Sequence, residues 1–160
     1  MIDVIDRKIL GLLQENARLS NAELAEAVGL NASSVFERVK KLERKGIITG
    51  YVATVDAEKL GKPLMAFIRL TIESGPQQDA EAAQRRLVEA YLAEPDILEC
   101  HDVAGEDCLI IKVRAAGPKE LKGLHDRIRS LTRSSRSVTN IVLSTYKQST
   151  RVEPRIEEEV

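Results

Sequence analysis

Apolar positions recur in two different rhythms along this chain, and the change of rhythm divides it. Through the first fifty residues the spacing is helical. Ile2, Ile5, Ile9 and Leu12 fall at steps of three and four, with Asp3 and Asp6 suited to a helix start. Ser20 and Glu23 form an S-x-x-E capping box, and Leu19 and Leu24 stand where a hydrophobic staple would place them. The helix they open, NAELAEAV, ends at Gly29, a natural residue just past a last helical turn. Asn31 offers a third N-cap, again with staple residues Leu30 and Val35. Val35, Val39 and Leu42 continue as one apolar stripe, and Gly46 closes that helix. The β-branched, turn-containing IITGYVATVD that follows reads as a short hairpin or a linker strand.

Gly61 and Pro63 mark a boundary, and beyond it the pattern changes. LMAFIRLTI (64–72) reads as a strand and DAEAAQRRLVEAYLA (79–93) as an amphipathic helix. ILECHDV (97–103) and CLIIKVR (108–114) read as strands joined through AGED, whose glycine suits a tight turn. PKELKGLHDRIRSL (118–131) is a helix with Leu121, Leu124, Ile128 and Leu131 on one face, and VTNIVLSTYK (138–147) is the last strand. The order βαββαβ predicts two helices on one face of an antiparallel sheet. On the first strand Ala66, Ile68, Leu70 and Ile72 take the helix side, leaving Met65, Phe67, Arg69 and Thr71 outside. The expected organisation is α+β: a helix-turn-helix domain (1–50), a linker strand (51–63), a βαββαβ domain (64–152) and a loose acidic tail (153–160). There are no internal repeats and no low-complexity segments.

Composition narrows the function. The chain has 160 residues, 43% hydrophobic and 31% charged, which fits a globular protein and argues against disorder. No apolar run approaches the ~20 residues needed to cross a bilayer, so a cytoplasmic protein without a membrane partner is expected. Cys100 and Cys108 are too few for a disulfide framework and lack metal-site spacing, so they read as reduced strand residues. Net charge is −1, so any surface for nucleic acid must be local. Residues 38–45 supply it, with Arg38, Lys40, Lys41, Arg44 and Lys45 against Glu43.

Helix, glycine turn, helix is the arrangement in which the second helix enters the major groove with its first residues nearest the bases. At about 100° per residue, the side opposite Val35, Val39 and Leu42 presents Ser33, Glu37, Lys40, Lys41 and Arg44, with Ser34 alongside. Ser33 and Ser34 are short and lie near the helix start, in reach of base edges or phosphates. Arg38, Lys41 and Lys45 are long enough for phosphates. With Asn31 at the cap, these nine residues are the candidate DNA contacts, and double-stranded DNA is the expected partner.

Over nearly its whole length the chain resembles the Lrp/AsnC (leucine-responsive, feast/famine) transcription regulators. The stretch IDVIDRKILGLLQENARLSNAELAEAVGLNASSVFERVKKLERKGIITGY is similar to the family's DNA-binding half. AGED, IVL and KQSTR fall where its effector-binding half has a hairpin, a last strand and a tail. The resemblance implies a winged helix-turn-helix followed by a ferredoxin-like (RAM/ACT-like) domain. It implies dimers that assemble further, often into octamers built as tetramers of dimers. It also implies an amino-acid effector bound between dimers, between carboxy-terminal domains, near Ala104, Gly105, Glu106 and Asp107, with Ser137 and Thr139. Loop amides and hydroxyls suit the ligand's carboxylate, and carboxylates suit its ammonium.

The chain departs from the family pattern at Asn31 where Ser is usual, at Glu37 where the family often has the first of two arginines, and at Cys108 where Asp is common. Glu37 either accepts from a cytosine amino group or is neutralised by Lys41. Asp107, next to Cys108, can substitute for the missing Asp.

Two other classes are weighed. An enzyme needs converging nucleophile, base or metal ligands. His101 and His125 lack partners at ligand spacing and read as structural, so no catalysis, cofactor or metal is expected. An architectural chromatin protein without an effector needs only the helix-turn-helix and the dimer. The five aromatics, Phe36, Tyr51, Phe67, Tyr91 and Tyr146, are dispersed and form no stacking platform for single strands.

Overall fold

The computed structural model describes residues 2–72, 85, 88–105, 109–131 and 134–154. The chain divides into two compact units, one of residues 1–54 together with residues 147 onward, the other Val55–Tyr146.

The first unit carries α1 (Val4–Glu15), α2 (Asn21–Val28) and α3 (Ala32–Arg44). Each begins on a residue that accepts a bond from its own first turn. Asp3 accepts from the Asp6 amide, Ser20 from Glu23, and Asn31 from Ser34, and the first two are complete capping boxes. Ile9, Leu13, Leu24, Ala25 and Val35 form the core, with Leu19, Leu30 and Val39 packed against it. The buried side of α1 is rotated from the expected stripe. Asp6, Ile9, Leu10 and Leu13 are its buried residues, a stripe at i, i+3, i+4 and i+7 whose first member is charged. A hydrophobic pattern alone passes over that residue.

Two boundaries differ from expectation. Residues 47–56 form no strand, because among the described residues they have no ladder partner. Residues 147–152, expected within the βαββαβ domain, group with the first unit instead.

The second unit carries β1 (Leu64–Ile72), β2 (Ile97–Asp102), β3 (Leu109–Ala115), α4 (Pro118–Leu131) and β4 (Ser134–Ile141). Residues 88–92 are helical and residue 93 is in a turn; the rest of the expected 79–93 helix lies outside the described residues, apart from helical residue 85. The sheet has the order β2-β3-β1-β4, antiparallel throughout, as a βαββαβ unit requires. One face buries Ala66, Ile68, Leu70, Leu109, Ile111 and Val113 under Tyr91, Leu121, Leu124 and Ile128.

β4 is displaced towards the amino terminus from the expected 138–147. Its final bond runs from the Val142 amide to the Met65 carbonyl. Since β1 begins at Leu64, the apolar residues beyond have no strand to join, and Leu143 is 94% exposed. Met65, expected outside, is buried although it lies on the face opposite the helices. It sits on a central strand, flanked by Arg114 on β3 and by the Val142 bond on the other side. Phe67 on the same face is half-buried.

Candidate nucleic-acid interface

The turn into α3 is set locally. Gly29 adopts φ 71 at the end of α2, a left-handed conformation open to glycine at low cost. The Leu30 amide donates back to the Ala25 carbonyl at 3.0 Å, and the Leu30 side chain packs on the core. Asn31 Oδ1 then accepts from the Ser34 amide at 2.7 Å and from Ser33 Oγ at 2.8 Å. The start of α3 is thereby fixed in direction, with Ser33 exposed.

Val35 and Leu42 are fully buried, which turns the opposite flank outward. Ser33, Glu37, Lys40, Lys41, Arg44 and Lys45 are exposed, and Ser34 is half-buried. Lys40 reaches the Glu43 carboxylate at 3.0 Å and lies 5.8 Å over the Phe36 ring centroid. Glu43 also accepts from the Tyr51 hydroxyl at 3.1 Å, and Lys40 and Tyr51, in that order, hold its carboxyl below the usual range. Among the described residues, Lys41, Arg44 and Lys45 form no ion pair. The same holds for Glu37, so the expected neutralisation of Glu37 by Lys41 does not form. Glu37 keeps a carboxylate free to accept from a base.

Arg38 is placed differently from expectation. Its Nη1 donates to Asp3 Oδ2 at 2.5 Å and to Asp6 Oδ1 at 2.6 Å. Asp6 has a side chain only 1% exposed, and without a cation it would be a buried charge without compensation. Arg38 therefore joins α3 to the start of α1 instead of extending to a phosphate. The Asp6 backbone amide, and then Arg38, hold the Asp3 carboxyl below its usual range, and both carboxylates favour the charged guanidinium. The hydrophobic pattern missed Asp3, Asp6 and Tyr51 as parts of this architecture. The available signal was the i, i+3, i+4, i+7 spacing of Asp6 with Ile9, Leu10 and Leu13.

The residues carried over for an effector fall on the second unit. Ala104 and Gly105 are exposed after β2, while Glu106, Asp107 and Cys108 lie outside the described residues. Ser137 and Thr139 lie on the helix side of β4, opposite Leu70 and Ile68, and the Ser137 hydroxyl is 2.9 Å from His125 Nε2. Asp102, Leu109, Leu70 and Ser137 form one continuous row across the sheet. The end of β2 and Ser137 thus share one end of the sheet but stand at opposite edges. Three strand steps, about 14 Å, separate Asp102 from Ser137. Cys100 is half-buried against the core, and burial pushes its thiol up, away from a reactive thiolate.

A capped helix-turn-helix with a free cationic flank, joined in one chain to a four-stranded α+β domain, defines a two-domain DNA-binding transcription regulator. A family model described as winged helix-turn-helix DNA-binding matches residues 2–49, and one described as Lrp/AsnC ligand binding domain matches residues 65–152. The chain is 35% identical over 155 residues to the leucine-responsive regulatory protein of Salmonella typhimurium, covering 94% of this chain and 90% of that protein. It is 31% identical over 152 residues to the HTH-type transcriptional regulator FL11 of Pyrococcus horikoshii, covering 94% and 95% respectively.

Solved structures agree. A transcriptional regulator of Neisseria meningitidis in complex with L-Met superposes with TM-score 0.86 at 28% identity, covering 95% of this chain and 96% of that one. A feast or famine regulatory protein of Mycobacterium tuberculosis complexed with L-methionine gives 0.84 at 32%, covering 96% and 100%. The chain belongs to the Lrp/AsnC family and is a DNA-binding transcription regulator. Its relatives are regulators rather than enzymes, which sets the catalytic alternative aside. Among the described residues, no helix is long and apolar enough to cross a membrane.

Proposed function

We propose that this regulator reads a two-half-site operator as a dimer through α3, and that a small effector, an amino acid, adjusts its affinity. The observation that carries the reading is the flank opposite Val35 and Leu42, where Lys41, Arg44 and Lys45 are exposed and unpaired among the described residues. Ser33, Ser34 and Glu37 read base edges, Asn31 sets the helix start, and Lys40, Lys41, Arg44 and Lys45 face phosphates. Arg38 holds the helix in place. Such a protein works in the cytoplasm, on the chromosome.

Dimerisation uses the sheet face opposite the helices. Met65, Phe67, Ile110 and Val138 supply apolar side chains to it, with Arg69 between Ile110 and Val138 and Lys112 beside Phe67, and a two-fold dimer carries the paired reading helices that a two-half-site operator needs. The effector is an amino acid, the ligand class that the two methionine-bound relatives carry. The family resemblance supports a site shared between copies, with Ala104–Asp107 of one protomer facing Ser137 and Thr139 of another. Assembly of dimers into an octamer builds such sites repeatedly.

Operator titrations test this. Lys41→Ala should weaken binding to every duplex and lower the salt slope by about one unit. Ser33→Ala and Glu37→Ala should change which operator is preferred, and an unchanged preference in both rejects the reading face. Titration curves that are identical with every amino acid in a full panel would reject the effector.

A further inference from the structure

Residues 147–154 make contacts that neither DNA reading nor effector binding uses. The Gln14 side chain holds the main chain of Val152 in both directions: Nε2 donates to the Val152 carbonyl at 3.0 Å, and Oε1 accepts from the Val152 amide at 2.7 Å. Arg151 pairs with Glu15 and, at 2.7 Å, with Glu153, whose carboxylate lies 3.8 Å from Arg7. A guanidinium nitrogen of Arg151 also lies 4.0 Å from the Cβ position of Gly11. Arg7, Gly11, Gln14 and Glu15 share one face of α1.

That face has a specific need. The last turn of α1 contains no basic residue, and Glu15 sits at the negative end of the helix dipole. Arg151, 136 residues later in the chain, supplies the cation. Apolar burial contributes little, since Val152 is 72% exposed. Hydrogen bonds and exposed ion pairs hold the segment, so salt weakens it.

We propose that this face of α1 is a docking surface for the chain's own carboxy-terminal segment, and that the docked segment is a salt-labile strap. It gives the reading head a second covalent tether to the sheet domain, beside the linker after Thr54. A head on one linker samples many orientations. A second tether narrows them and raises the effective concentration of one head at its half-site once the other is bound. The strap continues from β4, so a ligand that shifts Ser137 or Thr139 acts on the head through it. The inference rests on the dimeric reading above.

The test uses the full chain, a two-half-site duplex selected by the protein from a random library, and the same duplex cut to one half-site. Gln14→Ala with Arg151→Glu should weaken binding to the two-site duplex about tenfold and leave the half-site unchanged. Adding Glu15→Arg to Arg151→Glu should recover most of the loss. Amide exchange at Val152 should be slowed in the wild type at low salt and lose that protection in Gln14→Ala. No change on either duplex, or an equal loss on both, overturns the strap, the latter because the segment would then only stabilise the head. A wild-type chain with no two-site advantage and a monomeric mass by light scattering overturns the dimeric reading itself.

Discussion

The head and the sheet domain are held together by opposite means. In the head, each helix carries its own start signal within four residues, and the apolar core joins helices that are neighbours in sequence. In the sheet domain the central strand β1 pairs with β3 and β4, whose residues lie about forty and seventy positions away. Local contacts close short loops at small entropic cost, whereas distant pairings pay loop-closure entropy first and form more slowly. The contrast fits the two tasks. A reading head has to orient one helix, and the sheet domain has to hold distant segments in register.

The largest expected effect is on the sheet. Ile68→Ala removes a fully buried side chain at the middle of β1 and should cost about 2–5 kcal/mol, seen as loss of the sheet transition in urea unfolding. Next comes the long-range ion pair in the otherwise locally built head. Arg38→Ala should destabilise the head by about 1.5–3 kcal/mol, the range for hydrogen bonds to charged groups. Arg38→Lys should restore part of this. Neither change should alter the salt slope of DNA binding per folded head, because the guanidinium already sits on Asp3 and Asp6. A slope lower by a full unit would place Arg38 on a phosphate after all.

Smaller effects come from the local signals. Ser20→Ala should cost about 1 kcal/mol by thermal unfolding of the head, with the sheet unaffected. Gly29→Ala should cost a similar amount, about 1 kcal/mol, through its left-handed backbone alone, because nothing lies within 4 Å of the added Cβ.

Acid should weaken the same signals. The Ser20 backbone amide and then its hydroxyl hold the Glu23 carboxyl below 4.5, and the Asp6 amide and then Arg38 hold Asp3 below 3.8. Folded values lower than unfolded ones mean that this stability is fully present above about pH 4.5. It is lost as pH falls through the folded values. Circular dichroism of the Glu23→Gln variant against wild type should show the stability difference shrinking as pH falls below about 4.5.

Much of the architecture was legible in the sequence because it rests on short-range chemistry. Three N-caps, the Gly29 turn, the Val35–Val39–Leu42 stripe and the βαββαβ order needed only neighbouring residues to recognise. The interface was partly legible for the same reason: the angular position of Ser33, Glu37, Lys41 and Arg44 follows from helix geometry once the buried stripe is known. Arg38 was not, because its partners lie 32 and 35 residues earlier and one of them breaks the hydrophobic pattern. Nor was the end of β4, since a β-branched run becomes strand only where a neighbour offers hydrogen bonds.

The sequence by itself determined where the helices begin, which side of α3 is buried and which domain types follow one another, because capping and periodicity act over a few residues. Only the tertiary structure decided that Arg38 braces α1, that the tail docks on Gln14 and Glu15, and that β2 and β4 stand at opposite edges of the sheet. Each of these depends on chain segments meeting across large sequence separations, where register and burial select the partner and local propensity carries no information.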